Sequence, residues 1–201
     1  FLQTHFNDPA IHLRVGQKAG AQSFSDVGYG ALLETDLGAV IRAGVQVQAL
    51  RQNMVRTVFY SDGTPPYSTW ECPPDLVKDY ASIVEFLVVS FTHLSRQVLD
   101  EAPLLPSIHF RHQPQLDIAI YEATFGCPVR FGMPQTRMEM LGRQVFRPSP
   151  FANQPLFDKT MRNHPSGRCR ARHIWPLAIS ISRVNWTNRR QRWNGWRHPS
   201  V

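Results

Sequence analysis

IHFRHQPQLDIAIYEATFGCPVRFGMPQTRMEML, residues 108–141, carries the pattern that decides the fold. Ile108 and Phe110 alternate with His109 and Arg111, the period-two signature of a half-buried strand. Pro114 ends that strand, because it lacks the amide hydrogen a ladder needs. Leu116, Ala119, Ile120 and Ala123 then fall at helical spacing and predict a short helix with that face inward. Gly126 stands where helices stop in a left-handed residue. Val129 and Phe131 resume the alternation, and Pro134-Gln135 turns the chain into Met138 and Met140, predicting a hairpin over 129–141. The unit reads as scaffold, since it holds no nucleophile, base or metal cluster.

Upstream, Asp36 suits a helix N-cap, its carboxylate facing the free amides of the first turn. Leu37, Val40, Ile41, Gly44, Val45 and Ala49 follow at spacings of three and four, predicting an amphipathic helix that ends near Asn53. Val55–Tyr60 and Tyr67–Glu71 are β-rich runs around Ser61-Asp62-Gly63 and predict a hairpin. Pro65-Pro66 makes its turn longer than two residues. The longest helix follows Pro73-Pro74, capped by Asp75. Its broad stripe is Leu76, Tyr80, Ile83, Val84, Leu87, Val88, Phe91, Leu94 and Val98, wide enough to meet the sheet and a second surface. Residues 146–155 form a proline-rich connector, and Gln154 starts a further short helix. The fold class is therefore α+β: a mostly antiparallel sheet of two hairpins and a further strand, packed by two long amphipathic helices.

Composition sets the bounds. The 201 residues suffice for one domain with a core. The chain opens on Phe1, so its start is expected to be incomplete. No apolar run is long enough to span a bilayer, and no signal peptide precedes the first periodic segment. Cys72, Cys127 and Cys169 are odd in number and lack CxxC spacing, which argues for a reducing, cytoplasmic setting. The net charge of +7 is lopsided. Residues 162–201 hold nine arginines, four of the five tryptophans and no acid, whereas residues 1–161 carry 13 basic and all 15 acidic residues. A body of ordinary composition is thus joined to a basic tail.

FSDVGYGALLETDLGAVIRA (24–43), the central stretch from Ile108, and RPSPFANQPLFDKTM (147–161) resemble the N-terminal, arabinose-binding-like regulatory domain of AraC-family bacterial transcription regulators. The resemblance rests on Phe24, Gly28 and Tyr29 before the first long helix. It rests further on Arg111, His112 and Pro114 at the strand end, on the Phe125–Val129 corner, and on Asn153 before the last helix. It implies an effector-sensing or dimerisation domain over residues 1–161, with a small-molecule effector and a homodimer as partners. Family members grip DNA through a C-terminal pair of helix-turn-helix modules. Residues 162–201 contain Pro165, Pro176 and Pro199 without helical periodicity, so they are expected to be disordered or foreign sequence rather than that reader.

The chemical candidates are few. Tyr29, Trp70 and Tyr121 could line a small-molecule pocket, although core packing is the commoner role of such rings. Arg111 could grip a carboxylate in two-point fashion, against a plainer ion pair with Asp117 or Glu122. His93 flanks the helix stripe as a ligand contact or a half-exposed helix histidine. His109 and His112 are an odd offset apart on a strand and so face opposite ways, which argues against a shared metal. Gly28 and Gly30 lack the third glycine of a dinucleotide fingerprint and read as packing glycines. With no GxSxG, HExxH or P-loop, neither an enzyme nor a cofactor is implied. Two functions remain: a sensor domain of a regulator, and a non-specific nucleic-acid binder acting through the Arg/Trp tail, with charge for phosphates and rings for stacking.

Overall fold

The computed structural model describes residues 5–51, 55–72, 77 and 80–163, and within them the side chains of 25–26, 46–51 and 161–163 are outside the description. The sequence expectations for Asp75, Leu76 and the tail fall outside these residues.

The sheet has five strands in the order β1-β2-β5-β3-β4. β1 (Arg56–Tyr60) and β2 (Tyr67–Glu71) form the expected antiparallel hairpin, with Tyr60 opposite Tyr67 and their rings stacked at 4.6 Å. β5 (Thr136–Glu139) lies antiparallel to both β2 and β3 (Ile108–His109). β4 (Val129–Arg130) runs parallel to β3. The sheet is therefore mixed, and the expected hairpin over 129–141 is not formed.

Hydrogen bonding explains that correction. The Phe110 amide donates to the Arg130 carbonyl at 2.7 Å and the Ile108 amide to Pro128 at 3.0 Å, so the segment after the crossover tracks β3 in parallel. On the other side of β3, the Glu139 amide donates to Ser107 at 3.1 Å. β3 is an interior strand whose two edges are filled by β4 and β5, and the chain must pass over it between them. A parallel return needs a crossover of a dozen or more residues, which the short helix within 110–128 supplies.

That helix, α5 (Ile118–Phe125), starts on Asp117, whose carboxylate accepts from the Ala119 amide at 2.9 Å, and stops at Gly126 with φ +71°, as expected. Its inward face differs from the expected one. Ala119, Ile120 and Ala123 are exposed, and Tyr121 and Phe125 are buried. The two large rings remove far more apolar area from water than two alanines and an isoleucine edge, so they take the core. They meet Phe110 at 6.3 and 6.0 Å, and Phe131 closes the cluster.

Among the described residues six other helices surround the sheet: α1 (Ile11–Gly16), α2 (Ser25–Leu32), α3 (Leu37–Arg51), α4 (Ala81–Leu99), α6 (Gly142–Val145) and α7 (Gln154–Asn163). They pack on one another, α1 on α4 and α7 on α2, with α3 against β1. The helical layer is thus larger than two long helices. α3 begins on Asp36, whose Oδ1 accepts from the Ala39 amide at 2.7 Å. α2 and its preceding 3-10 turn approach closely: a Cβ on Gly28 would lie 2.0 Å from the Ala21 carbonyl oxygen, so only glycine fits. Ile108, Met138 and Trp70 point to the helices, whereas the opposite face is polar, with Arg137 and Glu139 paired at 2.5 Å. β5 alternates accordingly, buried at Thr136 and Met138 and half-buried at Arg137 and Glu139, whereas β2 is buried at three successive residues, Ser68 to Trp70.

α4 is the spine. Val88 and Val98 are wholly buried and Val84 is 2 % exposed, but Ile83 is exposed, and Leu87, Phe91 and Leu94 are only half-buried. The long stripe therefore divides in two. One edge packs into the core, and the other faces a cavity. No described helix is long and apolar enough to cross a membrane.

Candidate functional site

The cavity has a volume of about 330 Å³, at the lower end of small-molecule sites. Its walls come from five places in the chain. Phe24, Val27, Gly28 and Ala31 belong to α2 and the turn before it, while Val40, Ile41, Ala43, Gly44 and Val45 belong to α3. The sheet contributes Thr57 and Trp70, which are directly paired across β1 and β2 and so share a face. α4 supplies Leu87, Ser90, Phe91 and Leu94. Phe157 of α7 completes the wall, held near the body by α7 packing on α2 and by the Asn153 amide donating to the Leu33 carbonyl at 2.9 Å.

The geometry follows from helix periodicity. Leu87, Phe91 and Leu94 are spaced four and three apart and lie on one α4 edge, next to but distinct from the Val84-Val88 edge. Trp70 is 4 % exposed and meets Phe91 edge-on at 5.9 Å, which fixes the floor. The Ser90 hydroxyl donates to the Phe86 carbonyl at 2.7 Å within its own helix. Thr57 is the other hydroxyl among the described lining residues. No charged side chain is among the lining residues described.

Of the five residues singled out from sequence, Trp70 lines this cavity. Tyr29 is 54 % exposed on α2, beside the lining residues Val27 and Gly28. His93 is half-buried on α4 away from the cavity, and burial, then Arg96 and Lys18, hold its imidazole below the ordinary range. Arg111 is exposed beyond β3, and its backbone amide donates to Thr136 Oγ1 at 3.2 Å. Neither Asp117 nor Glu122 pairs with it among the ion pairs of the described residues. It acts instead on the Cys72 thiol, which burial raises and Arg111 partly draws back.

Tyr121 belongs to a second, fully buried centre. Its hydroxyl donates to Glu85 Oε1 at 2.9 Å, and burial followed by the Glu85 charge raises its pKa. His12 Nε2 lies 2.5 Å from Glu85 Oε2, and His112 Nε2 lies 3.5 Å from Oε1. Glu85 is 0 % exposed, so it is a buried carboxylate that ties α1, α4, α5 and the end of β3 together. A buried charge is tolerated when it is paired and hydrogen-bonded, which Tyr121 and His12 supply for Glu85, whereas the buried His112 Nε2 makes no hydrogen bond among the described residues. No described group of His, Cys, Asp and Glu is arranged to hold a metal ion. Sequence reasoning missed this centre because His12, Glu85 and Tyr121 are 73 and 36 residues apart. The only signal was a glutamate inside the greasiest run of the longest helix.

The comparisons with known proteins agree with one another. The model of the arabinose-binding domain of AraC transcription regulators, N-terminal, matches residues 2–148. No curated protein matches the chain. Among solved structures, the transcriptional regulator CdpR from Pseudomonas aeruginosa shares the fold with a TM-score of 0.62 at 14 % identity. That match covers 79 % of this chain and 52 % of CdpR, so the chain spans about half the length of that regulator. With a family model matched across most of its length, and with the mixed sheet and helical layer in place, the chain belongs to the arabinose-binding-domain family of AraC-type transcription regulators.

Proposed function

We propose that this domain senses a small-molecule effector held in the cavity between α2, α3, α4, α7 and the β1–β2 hairpin, and transmits its presence to DNA reading elsewhere in a regulator. The observation that carries the reading is the apolar cavity itself, whose wall is completed by Phe157 of α7, the last helix of the described residues. An effector touching Trp70, Phe91 and Phe157 together would bias where α7 sits, and a ligand shifts an equilibrium only by such differential contacts.

Membership of a regulator family supports a role in binding rather than turnover. The body is slightly acidic, 13 basic against 15 acidic residues, and offers duplex phosphates no electrostatic attraction of its own. Sequence-specific DNA contact is therefore assigned to a separate module, and self-association to the sensor domain, as in a cytoplasmic regulator. The Arg/Trp-rich residues 162–201 are read as adding loose, salt-sensitive attraction to any polyanion.

Intrinsic fluorescence tests the cavity. In a chain whose tail tryptophans Trp175, Trp186, Trp193 and Trp196 are replaced by Phe, the signal comes from Trp70. Screening small molecules should find ones that shift this emission and raise Tm together, since a ligand that binds only the folded state stabilises it. Compounds that raise Tm yet leave Trp70 emission unchanged throughout would place the effector elsewhere.

A further inference from the structure

The chemistry of the cavity wall, taken with its size, contradicts the sugar in the family's label. We infer that the effector of this chain is an uncharged molecule with an aromatic or hydrocarbon body and a single hydroxyl or carbonyl, not a sugar. The inference rests on the cavity being the effector site.

Three observations carry it. The wall is built from four aromatic rings, Phe24, Trp70, Phe91 and Phe157, with aliphatic side chains between them. Among the described lining residues two carry hydroxyls, and one of these is already taken: Ser90 donates to Phe86. Thr57 keeps a hydroxyl able to meet a ligand, on the same sheet face as Trp70. No lysine, arginine or histidine is among the described lining residues to meet an anion, and no carboxylate to meet a cation.

A pentose brings four or more hydroxyl groups, each of which must find a partner or lose its hydration without return. The one threonine hydroxyl left over among the described lining residues cannot serve them. A carboxylate is worse placed, because a charge moved into an apolar wall without a counter-ion neutralises or stays out. A flat ring fits, since Trp70 and Phe91 already meet edge-on and a third ring can join them. The volume of about 330 Å³ limits the body to a small ring system or a short chain.

The test uses the full chain and five named probes: naphthalene, 1-naphthol, 1-octanol, octanoate and L-arabinose. Binding is measured by calorimetry and by Tm. Naphthalene, 1-naphthol and 1-octanol should bind, octanoate at least tenfold more weakly than 1-octanol, and arabinose should give no heat and no Tm shift at millimolar concentration. Thr57→Val keeps the shape and removes the hydroxyl. It should weaken 1-naphthol several-fold and leave naphthalene unchanged. Ala31→Phe should fill part of the cavity and abolish binding of all three neutral probes.

Arabinose or octanoate binding more tightly than the neutral probes, with that binding lost in Ala31→Phe, would overturn the ligand class while leaving the cavity as the effector site. Neutral probes that bind equally well to the wild type and Ala31→Phe, or that fail to bind at all, would overturn the cavity reading and this inference with it. Should Ala31→Phe fail to fold, Thr57→Val still decides: equal loss of naphthalene and 1-naphthol would sink the role of the hydroxyl.

Discussion

Neighbouring residues of α4 should differ in a direction opposite to their size. Val88 is 0 % exposed and sits on the core edge, whereas Leu87 is half-buried on the cavity edge. Val88→Ala deletes two methyl groups, worth about 1.6 kcal/mol at ~0.8 each. A cavity term is added because the close-packed surroundings relax only in part, giving about 2–3 kcal/mol. Leu87→Ala deletes three carbons, but at about half burial they carry only ~1 kcal/mol of transfer energy. The new space opens into a void that already exists, so few packing contacts are lost with it. The larger deletion should thus cost less, by roughly 1–2 kcal/mol. Urea melts of both variants, analysed with a common m-value, measure the difference. If Leu87→Ala proves as destabilising as Val88→Ala, the division of α4 into a packed edge and a cavity edge is wrong.

Other outcomes follow from single positions. Gly44 is an exposed residue within α3, and an added Cβ there meets nothing within 4 Å, so Gly44→Ala should stabilise by about 0.5–1 kcal/mol through helix propensity alone, read as a higher Tm. Glu34 is 3 % exposed, its Oε1 has no partner, and burial raises its pKa. Its raised pKa means that the stability it contributes is present below the unfolded value and lost as pH rises through the folded one. Glu34→Gln should therefore raise Tm at pH 7 and do so less at pH 4; an equal gain at both would refute the charge as the cause. Burial pushes the Cys127 thiol up to about 11, so the native fold holds its proton while the unfolded chain releases it above pH 9. Stability should fall by about 1 kcal/mol between pH 8 and pH 10, and Cys127→Ala should flatten that fall. In a Cys169→Ser chain at pH 8, a thiol reagent should label Cys72 well before Cys127, which is 8 % exposed. Mass spectrometry of the modified peptides gives the order.

Local rules were enough for the elements whose cause is local. The Asp36 cap, the Gly126 stop, the β1–β2 hairpin and the alternation of Ile108 and Phe110 each depend on residues a few positions apart, and each stands in the structure. The family was legible too, because its marks lie along the chain in order. Trp70 was legible as a pocket candidate, being a large ring on a half-buried strand. What the sequence could not determine is which of two inward faces a helix uses when both are apolar. Leu87 and Val88 are adjacent and alike in type, and only the position of α2 and α7 leaves one against a void and the other in the core. Glycine-rich α2 hid for a related reason: Gly28 and Gly30 lower its helix propensity, and it is held by close packing on Ala21 instead. The same limit applies to β4, whose alternation marks it as a strand but carries no information on which partner strand it meets. The Glu85 centre shows the rule most clearly. A carboxylate in an apolar run is permitted only because His12, His112 and Tyr121 arrive from three other elements, and their meeting is a property of the tertiary fold that no local spacing records.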